Sequence, residues 1–213
     1  NLWCMWNGNE DIVMRKDGQT VSFNINTRLE KPYKPVRRQE KIYAKNKSLY
    51  YRTDNGLVLT VAKSKDPDIT YGEYVSRNEF GINEGIFWAP DTCKAVYLKI
   101  NDFGEDQYLT NISWTPDASK IIVQVLDRSQ KHMHMNLYDA VTGTFIKTLL
   151  TEDNDKYVEP QDPVWFIKGS ENLFIYRTDN RDGYRNLYLC DLKGNVRRIA
   201  ETDADLAYVG NDG

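Results

Sequence analysis

Cysteine and histidine are scarce in this chain, with 3 and 2 among 213 residues. Cys4, Cys93 and Cys190 form no C-x-x-C and stand at no metal-ligand spacing. An odd number leaves at least one thiol unpaired, and buried inert thiols are the reading that fits. They leave the redox compartment open. Long apolar runs are missing as well, and at a mean hydropathy of −0.64 no transmembrane helix is expected. Charge of one sign is not in excess: 28 Lys and Arg face 31 Asp and Glu, and the basic residues are scattered. No nucleic-acid surface and no polybasic membrane surface is expected. Helical periodicity is absent almost everywhere. No leader peptide is evident, and Asn1 already lies inside what reads as folded sequence, so the N-terminus is expected to say nothing about localisation. The sequons Asn46-Lys-Ser48 and Asn111-Ile-Ser113 matter only in a secreted eukaryotic protein.

Aromatic residues are plentiful, at 12% with 14 Tyr and 5 Trp, which favours sheet over helix bundle. The chain is long enough for one domain or a compact pair with a substantial core. Self-similarity organises it. "SLYYRTDNGLVLTVAKSKD" from Ser48, "NLYDAVTGTFIKTLLTEDND" from Asn136 and "NLYLCDLKGNVRRIAETDAD" from Asn186 each read Leu-Tyr, strand, Gly turn, strand, acidic loop. Gly56, Gly143 and Gly194 supply the positive φ of a tight turn. A second element precedes these hairpins: "ISWTPDASKIIVQVLD" from Ile112 matches "VWFIKGSENLFIYRTD" from Val164. "MRKDGQTVSFNIN" around Asp17-Gly18 and "IFWAPDTCKAVYLKI" around Trp88 carry the same aspartate turn. A unit therefore reads strand, Asp turn, strand, loop, Leu-Tyr strand, Gly turn, strand. Leu137 and Leu187 stand 50 residues apart, the length of a four-stranded propeller blade. The fold expected is all-β, a partial β-propeller of four-stranded antiparallel blades spanning residues 1–213. A β-sandwich also carries short strands and regular turns, but a near-constant motif offset is not expected of it.

Two irregularities stand out. Trp88 and Trp114 head successive units only 26 residues apart, and the unit between them has two strands but no Leu-Tyr hairpin. Such a blade exposes a raw sheet edge, so residues are expected to be missing near Asp91 to Lys94. The second irregularity is "YGEYVSRNEFGINEGIFWAP", Tyr71 to Pro90, a long charged connection without a clean period.

"RNEFGINEGIFWAPD", "EDQYLTNISWTPDASKIIVQVLDRSQKHMHMNLYDAVTGTFIKTL", "KYVEPQDPVWF" and "RTDNRDGYRNLYLCDLKGNVRRI" resemble the N-terminal propeller of the dipeptidyl peptidase IV group of the prolyl oligopeptidase family, in its bacterial dipeptidyl and prolyl tripeptidyl members. The likeness runs from about Ile42 onward; residues 1–41, with "RLEKPYKPVRRQEK", are less distinctive. The resemblance implies about four to five blades of an eight-bladed propeller. It also implies a partner α/β-hydrolase domain with a Ser-Asp-His triad on the same full-length chain, in a periplasmic or extracellular serine exopeptidase. That domain is absent here, since no G-x-S-x-G elbow occurs. The chain by itself holds no catalytic residue and is expected to be inactive.

The resemblance also gives the segment 70–87 a role, since in the family this insertion carries a glutamate pair that holds the substrate's α-ammonium. Paired carboxylates in a partly desolvated cavity suit that task, and the anchoring fixes the cleavage register. Aligned on Phe80 and Trp88, the pair positions hold Arg77 and Asn78, with Glu79 one residue later and Glu73 and Glu84 flanking. The substrate-binding candidates are therefore Glu79, Arg77, Asn78 and Glu73. Either Glu79 serves alone after a one-residue shift, or the second carboxylate comes from the absent domain; otherwise Arg77 pairs with Glu79 structurally.

Other clusters read as structure. His132 and His134, two apart, share one strand face without an evident third ligand, so packing and ladder hydrogen bonding are expected and no metal or cofactor. "TEDNDKYVEPQDP", residues 151–163, lacks the offsets of a calcium loop and reads as a solvated inter-blade loop. In "RTDNRDGYRNLY" a tight turn at Asp182-Gly183 with Tyr184 and Tyr188 packed on neighbours is expected. The partners expected are a peptide N-terminus, the hydrolase domain, and a second copy of the chain through open sheet edges. The alternative function is a non-catalytic propeller scaffold for a protein or polysaccharide.

Overall fold

Strand-length runs with period-two burial, each closed by a turn residue of fixed chemistry, account for nearly all regular structure in the computed structural model. The model describes residues 4–7, 10–33, 41–53, 55–74, 79–90, 94–101, 107–199 and 203–207. The chain divides into two compact units, Asn1–Lys41 and Ile42–Gly213.

The first unit is a four-stranded antiparallel sheet in chain order: β1 (Cys4–Asn7), β2 (Asp11–Lys16), β3 (Gln19–Asn24) and β4 (Glu30–Pro32). Asp17 and Gly18 both have positive φ, at 50° and 78°, the backbone that a two-residue hairpin between right-twisted strands requires. They join β2 to β3, between Lys16 and Gln19. The sequence aligned this turn with the first turn of the later units; the structure places it between the second and third strands. Asn24 Oδ1 accepts the Asn26 and Thr27 N–H groups and so turns the chain toward β4. Pro32, without an N–H, sits on the outermost strand, where its missing donor costs nothing.

The second unit opens with β5 (Ile42–Lys45), β6 (Ser48–Arg52) and β7 (Val58–Ala62), a three-stranded sheet. Two short pairs follow: β8 (Ile69–Tyr71) with β11 (Lys99–Asn101), and β9 (Ile86–Trp88) with β10 (Ala95–Tyr97). "AVYLKI", read as one strand in the sequence, divides at Leu98 and serves both pairs. Among the described residues β9 and β10 form a two-stranded sheet, as the close spacing of Trp88 and Trp114 anticipates. Residues 91–93, where most of the inferred omission falls, lie outside the described residues.

Two full sheets complete the unit: β12 (Gln107–Trp114), β13 (Lys120–Asp127), β14 (His132–Asp139) and β15 (Phe145–Asp153); then β16 (Trp165–Phe166), β17 (Leu173–Thr178), β18 (Asn186–Asp191) and β19 (Val196–Arg198). Both follow the predicted order of Leu-Tyr strand and Gly turn; the predicted Asp turn before them occurs in the first of the two, whereas in the second Gly169, at φ 81°, makes that turn without an aspartate. In the turn after β12, Asp117 accepts bonds from the Thr115 hydroxyl and from the Ser119 hydroxyl and N–H, at 2.6, 2.6 and 3.1 Å. These bonds hold its pKa down to about 2. Gly194, at φ 98°, closes the last hairpin where a Cβ would lie 2.9 Å from the Leu149 carbonyl.

β13 is buried on both faces, the mark of a strand between neighbouring sheets. Ile122 and Leu126 join the core shared with Phe174, Tyr176 and Tyr188 of the last sheet. Ile121 and Val123 face the opposite way, into an apolar groove of about 520 Å³ that also meets Phe87 and Val96. Polar seams fix the register between the last two sheets. The Ser113 hydroxyl both donates to the Val164 carbonyl and accepts its N–H, and Gln124 Nε2 donates to the Asp162 carbonyl at 2.9 Å. A bulge at Asn111, φ 50°, shifts the β12 register so that Ser113 returns to this face. Cys190 is a buried thiol pushed up to about 12 by desolvation, as an inert cysteine should be, whereas Cys4 is exposed.

Candidate functional site

Within the segment 73–84, the described residues 73–74 and 79–84 leave the sheets as an arm with a pinched stem. A Cβ on Gly85 would lie 2.5 Å from the Gly72 carbonyl oxygen and 2.6 Å from that of Glu73; one on Gly72, at φ 71°, would meet Leu49 Cδ1 at 2.6 Å. Only glycine fits either position. Leu98 ties the two sides, its N–H donating to the Gly85 carbonyl and its carbonyl accepting the Gly72 N–H, at 2.9 and 2.8 Å. The arm folds back in a single 3-10 turn, Glu79–Gly81, with Phe80 at φ 51° and the Ile82 N–H bonded to the Glu79 carbonyl. Two apolar side chains seat the arm. Ile82 enters the core, and Phe80 stands edge-on to Tyr108 of β12 with centroids 5.1 Å apart. Arg128 also packs on Tyr108, its guanidinium 5.0 Å from the ring centroid and donating to the hydroxyl at 2.6 Å.

With Phe80 and Ile82 committed inward, Glu79 is left exposed at the mouth of a cavity of about 510 Å³. Three segments line it: the arm with Glu79, Phe80 and Gly81; the β13–β14 turn with Gln130; and the β15–β16 connection with Glu159, Pro160 and Gln161. The last two are tied by the Val158 N–H bonding the Gln130 carbonyl at 2.6 Å. Buried Val158 and Pro160 hold the connection down on either side of exposed Glu159. Among the described residues neither Glu79 nor Glu159 is engaged in an ion pair. Other acids of residues 151–163 are paired: Glu152 meets Arg181 at 3.1 Å, Asp153 meets His132 at 2.6 Å and Asp162 meets Arg177 at 2.6 Å.

Of the residues singled out in the sequence, Glu79 lies at this cavity. Glu73 instead belongs to the stem, where its carboxylate accepts the Lys47 N–H at 3.3 Å. Arg77 and Asn78 lie outside the described residues. Glu159 was not singled out, because 151–163 read as a solvated loop. That reading fails in detail: Glu152 is buried, bonded to the Thr178 hydroxyl at 2.7 Å, and its carboxyl is raised by desolvation against the pull of Thr178 and Arg181. The alternation of Val158 and Pro160 around Glu159 was the available signal.

His132 and His134 point to solvent rather than into packing, and the Asp153 carboxylate raises the His132 imidazole above its ordinary value. Gly183, φ 77°, closes the expected turn. Tyr188 is buried with its hydroxyl on Asp182, whereas Tyr184 is exposed instead of packed. Among the described residues no three His, Cys, Asp or Glu side chains are grouped to hold a metal ion, and no helix is long and apolar enough to cross a membrane.

Successive antiparallel sheets with a strand buried on both faces define a partial β-propeller, and comparison with solved structures bears the fold out. A candidate dipeptidyl aminopeptidase IV from Bacteroides ovatus ATCC 8483 superposes with a TM-score of 0.58 at 23% identity, covering 93% of this chain and 39% of its own. Dipeptidyl peptidase 4 of Porphyromonas gingivalis gives 0.57 at 15% identity, covering 97% and 38%. The chain thus spans well under half the length of either. Residues 102–207 match the family model of the dipeptidyl peptidase IV N-terminal region. Over residues 102–207 the chain is thus similar to the N-terminal region of dipeptidyl peptidase IV, and over nearly its whole length it shares the fold of these structures.

Proposed function

We propose that this chain is the propeller portion of a dipeptidyl peptidase IV-like serine exopeptidase, acting in the periplasm or outside the cell. In this reading it limits access to a hydrolase domain carried on the same polypeptide. The arm 73–84 presents Glu79 to the free α-ammonium of proline-containing peptides. The observation that supports the reading is the seating of the arm. A pinched glycine stem and two apolar anchors, buried Ile82 and half-buried Phe80, hold at a cavity mouth a carboxylate with no ion-pair partner among the described residues, a placement that mere solvation of a loop does not call for.

An exopeptidase must measure from a charged terminus to the scissile bond. A carboxylate on a fixed arm does this by a charge-assisted hydrogen bond whose position sets the register. The coding sequence beyond residue 213 is expected to encode a G-x-S-x-G hydrolase domain. In that complete polypeptide Glu79→Gln is expected to lower kcat/KM on free-amine Xaa-Pro substrates about tenfold or more, the range of a hydrogen bond to a charged group. An unchanged kcat/KM would remove Glu79 from substrate binding.

A further inference from the structure

We propose that Tyr108 and Arg128 are positioning residues for the arm. Arg128 locks the Tyr108 ring, the ring holds Phe80 in a left-handed backbone conformation, and Phe80 thereby fixes where the neighbouring Glu79 carboxylate stands. This rests on the reading of Glu79 just given, and it assigns the placement of that carboxylate to two side chains outside the arm.

Backbone strain is the first observation. Phe80 has φ 51°, a region that a bulky residue keeps only when its surroundings over-determine it. Gly81, at φ 70°, takes the same region freely, so the anchor that the turn needs is at Phe80. The half-buried Phe80 ring meets Tyr108 edge-on, with centroids 5.1 Å apart. Tyr108 is 3% exposed, and Arg128 engages both its ring, at 5.0 Å from the centroid, and its hydroxyl, at 2.6 Å. A cation on the ring and a charge-assisted bond at its tip together fix its orientation.

The platform under Arg128 is the second observation. In the β13–β14 turn the Asp127 carboxylate accepts the Ser129 hydroxyl and the Lys131 and His132 N–H groups, at 2.6, 3.0 and 3.1 Å. Gln130, in the same turn, lines the cavity at whose mouth Glu79 stands. A relay therefore runs from this pinned turn through Tyr108 and Phe80 to Glu79. Released from Tyr108, Phe80 would return to negative φ and swing the adjoining carboxylate. A displacement of about 1 Å is enough to spoil a group that measures distance.

The test uses the complete polypeptide with Arg128→Met, Arg128→Lys, Tyr108→Phe and Glu79→Gln. Each is assayed on a free-amine Xaa-Pro substrate and on its analogue with hydrogen in place of the amine. Arg128→Met is expected to lower kcat/KM on the free-amine substrate about fivefold, mostly through KM. Rates on the amine-free analogue should stay within about twofold, and Arg128→Lys should recover part of the loss. Arg128 is exposed, so melting temperatures should match the parent's. Tyr108→Phe keeps the ring against Phe80 and drops only the hydroxyl; combined with Arg128→Met it should lose less than the product of the single losses. In a Glu79→Gln background Arg128→Met should cost less than about twofold more, because its effect passes through Glu79. An equal fall on both substrates, or a full fivefold loss in that background, would mark a structural role and overturn the proposal. If Glu79→Gln is impaired while Arg128→Met and Tyr108→Phe match the parent, the relay fails and the role of the arm stands. If Glu79→Gln is unimpaired, the reading of the arm fails and the relay with it.

Discussion

Replacing Arg181 with Met should destabilise the propeller in a way that depends on pH. Glu152, at the end of β15, is 3% exposed and reaches across to the last sheet, bonding the Thr178 hydroxyl at 2.7 Å and Arg181 Nε at 3.1 Å. Removing one partner of a buried ion pair costs about 3–5 kcal/mol, because it strands the other charge. Arg181 is one-third exposed, so water already shares its charge, and Thr178 still donates in the variant. Both facts put the loss at the low end, about 2–3 kcal/mol at pH 8. The sign of the pH dependence follows from the direction of the shift. Burial raises the Glu152 carboxyl in the folded state above its unfolded value, so the folded state binds a proton at a pH where the unfolded chain has lost it. Stability from this group is therefore greatest below the unfolded pKa and is lost as pH rises through the folded one. Without Arg181 that rise is larger, and the penalty should shrink toward about 1 kcal/mol at pH 5, as the stranded carboxyl protonates. Urea denaturation followed by tryptophan fluorescence at pH 5 and pH 8, with Arg181→Lys as a charge-retaining control, measures it. A loss equal at both pH values, or below about 0.5 kcal/mol at pH 8, would refute a charge stranded at this seam.

Gly85→Ala should cost about 1–3 kcal/mol and loosen the arm, because the new methyl would lie 2.5 Å from the Gly72 carbonyl oxygen. Hydrogen exchange at Ile82 and Leu98 should quicken more than exchange in β17, and an unchanged pattern would show that the stem is not pinched. Asp117→Ala should cost about 1 kcal/mol at neutral pH, a figure already reduced for the exposure of the group. Since bonds from Ser119 and Thr115 lower its folded pKa to about 2, that contribution is present above the unfolded value near 3.8 and disappears as pH falls through 2. Parent and variant should thus converge in acid titrations followed by circular dichroism.

The architecture was legible where each unit repeats its own punctuation. Trp114 and Phe166, the turn after each, Leu137-Tyr138 and Leu187-Tyr188, and Gly143 and Gly194 mark the same positions in two sheets, because each sheet solves the same packing problem. The short interval from Trp88 to Trp114 likewise exposed a two-stranded sheet. Phase was harder to read. Asp17-Gly18 looks like any aspartate turn in sequence, and only pairing shows that it joins the second and third strands. The same holds for Leu98, which divides an apolar run because its N–H and carbonyl face two different partners.

The site was half legible. Glu79 stood out because Phe80 and Trp88 anchor the resemblance around it, whereas Glu159 belongs to an acidic stretch, residues 151–163, whose members have three different fates. Glu152 is buried in a seam, Asp162 is paired with Arg177, and Glu159 is turned outward at a cavity formed with residues far away in the chain. No local spacing encodes that meeting, which depends on how the arm, the β13–β14 turn and the connection are brought together by the sheets beneath them.

A crystal structure of the complete polypeptide with a proline-containing peptide bound through its free N-terminus addresses the role of the arm directly. The α-ammonium nitrogen should lie within about 3.2 Å of a Glu79 carboxylate oxygen, hydrogen-bonding distance for a charged pair. An ammonium facing bulk water, or held by another part of the protein with Glu79 beyond about 6 Å, would contradict the account.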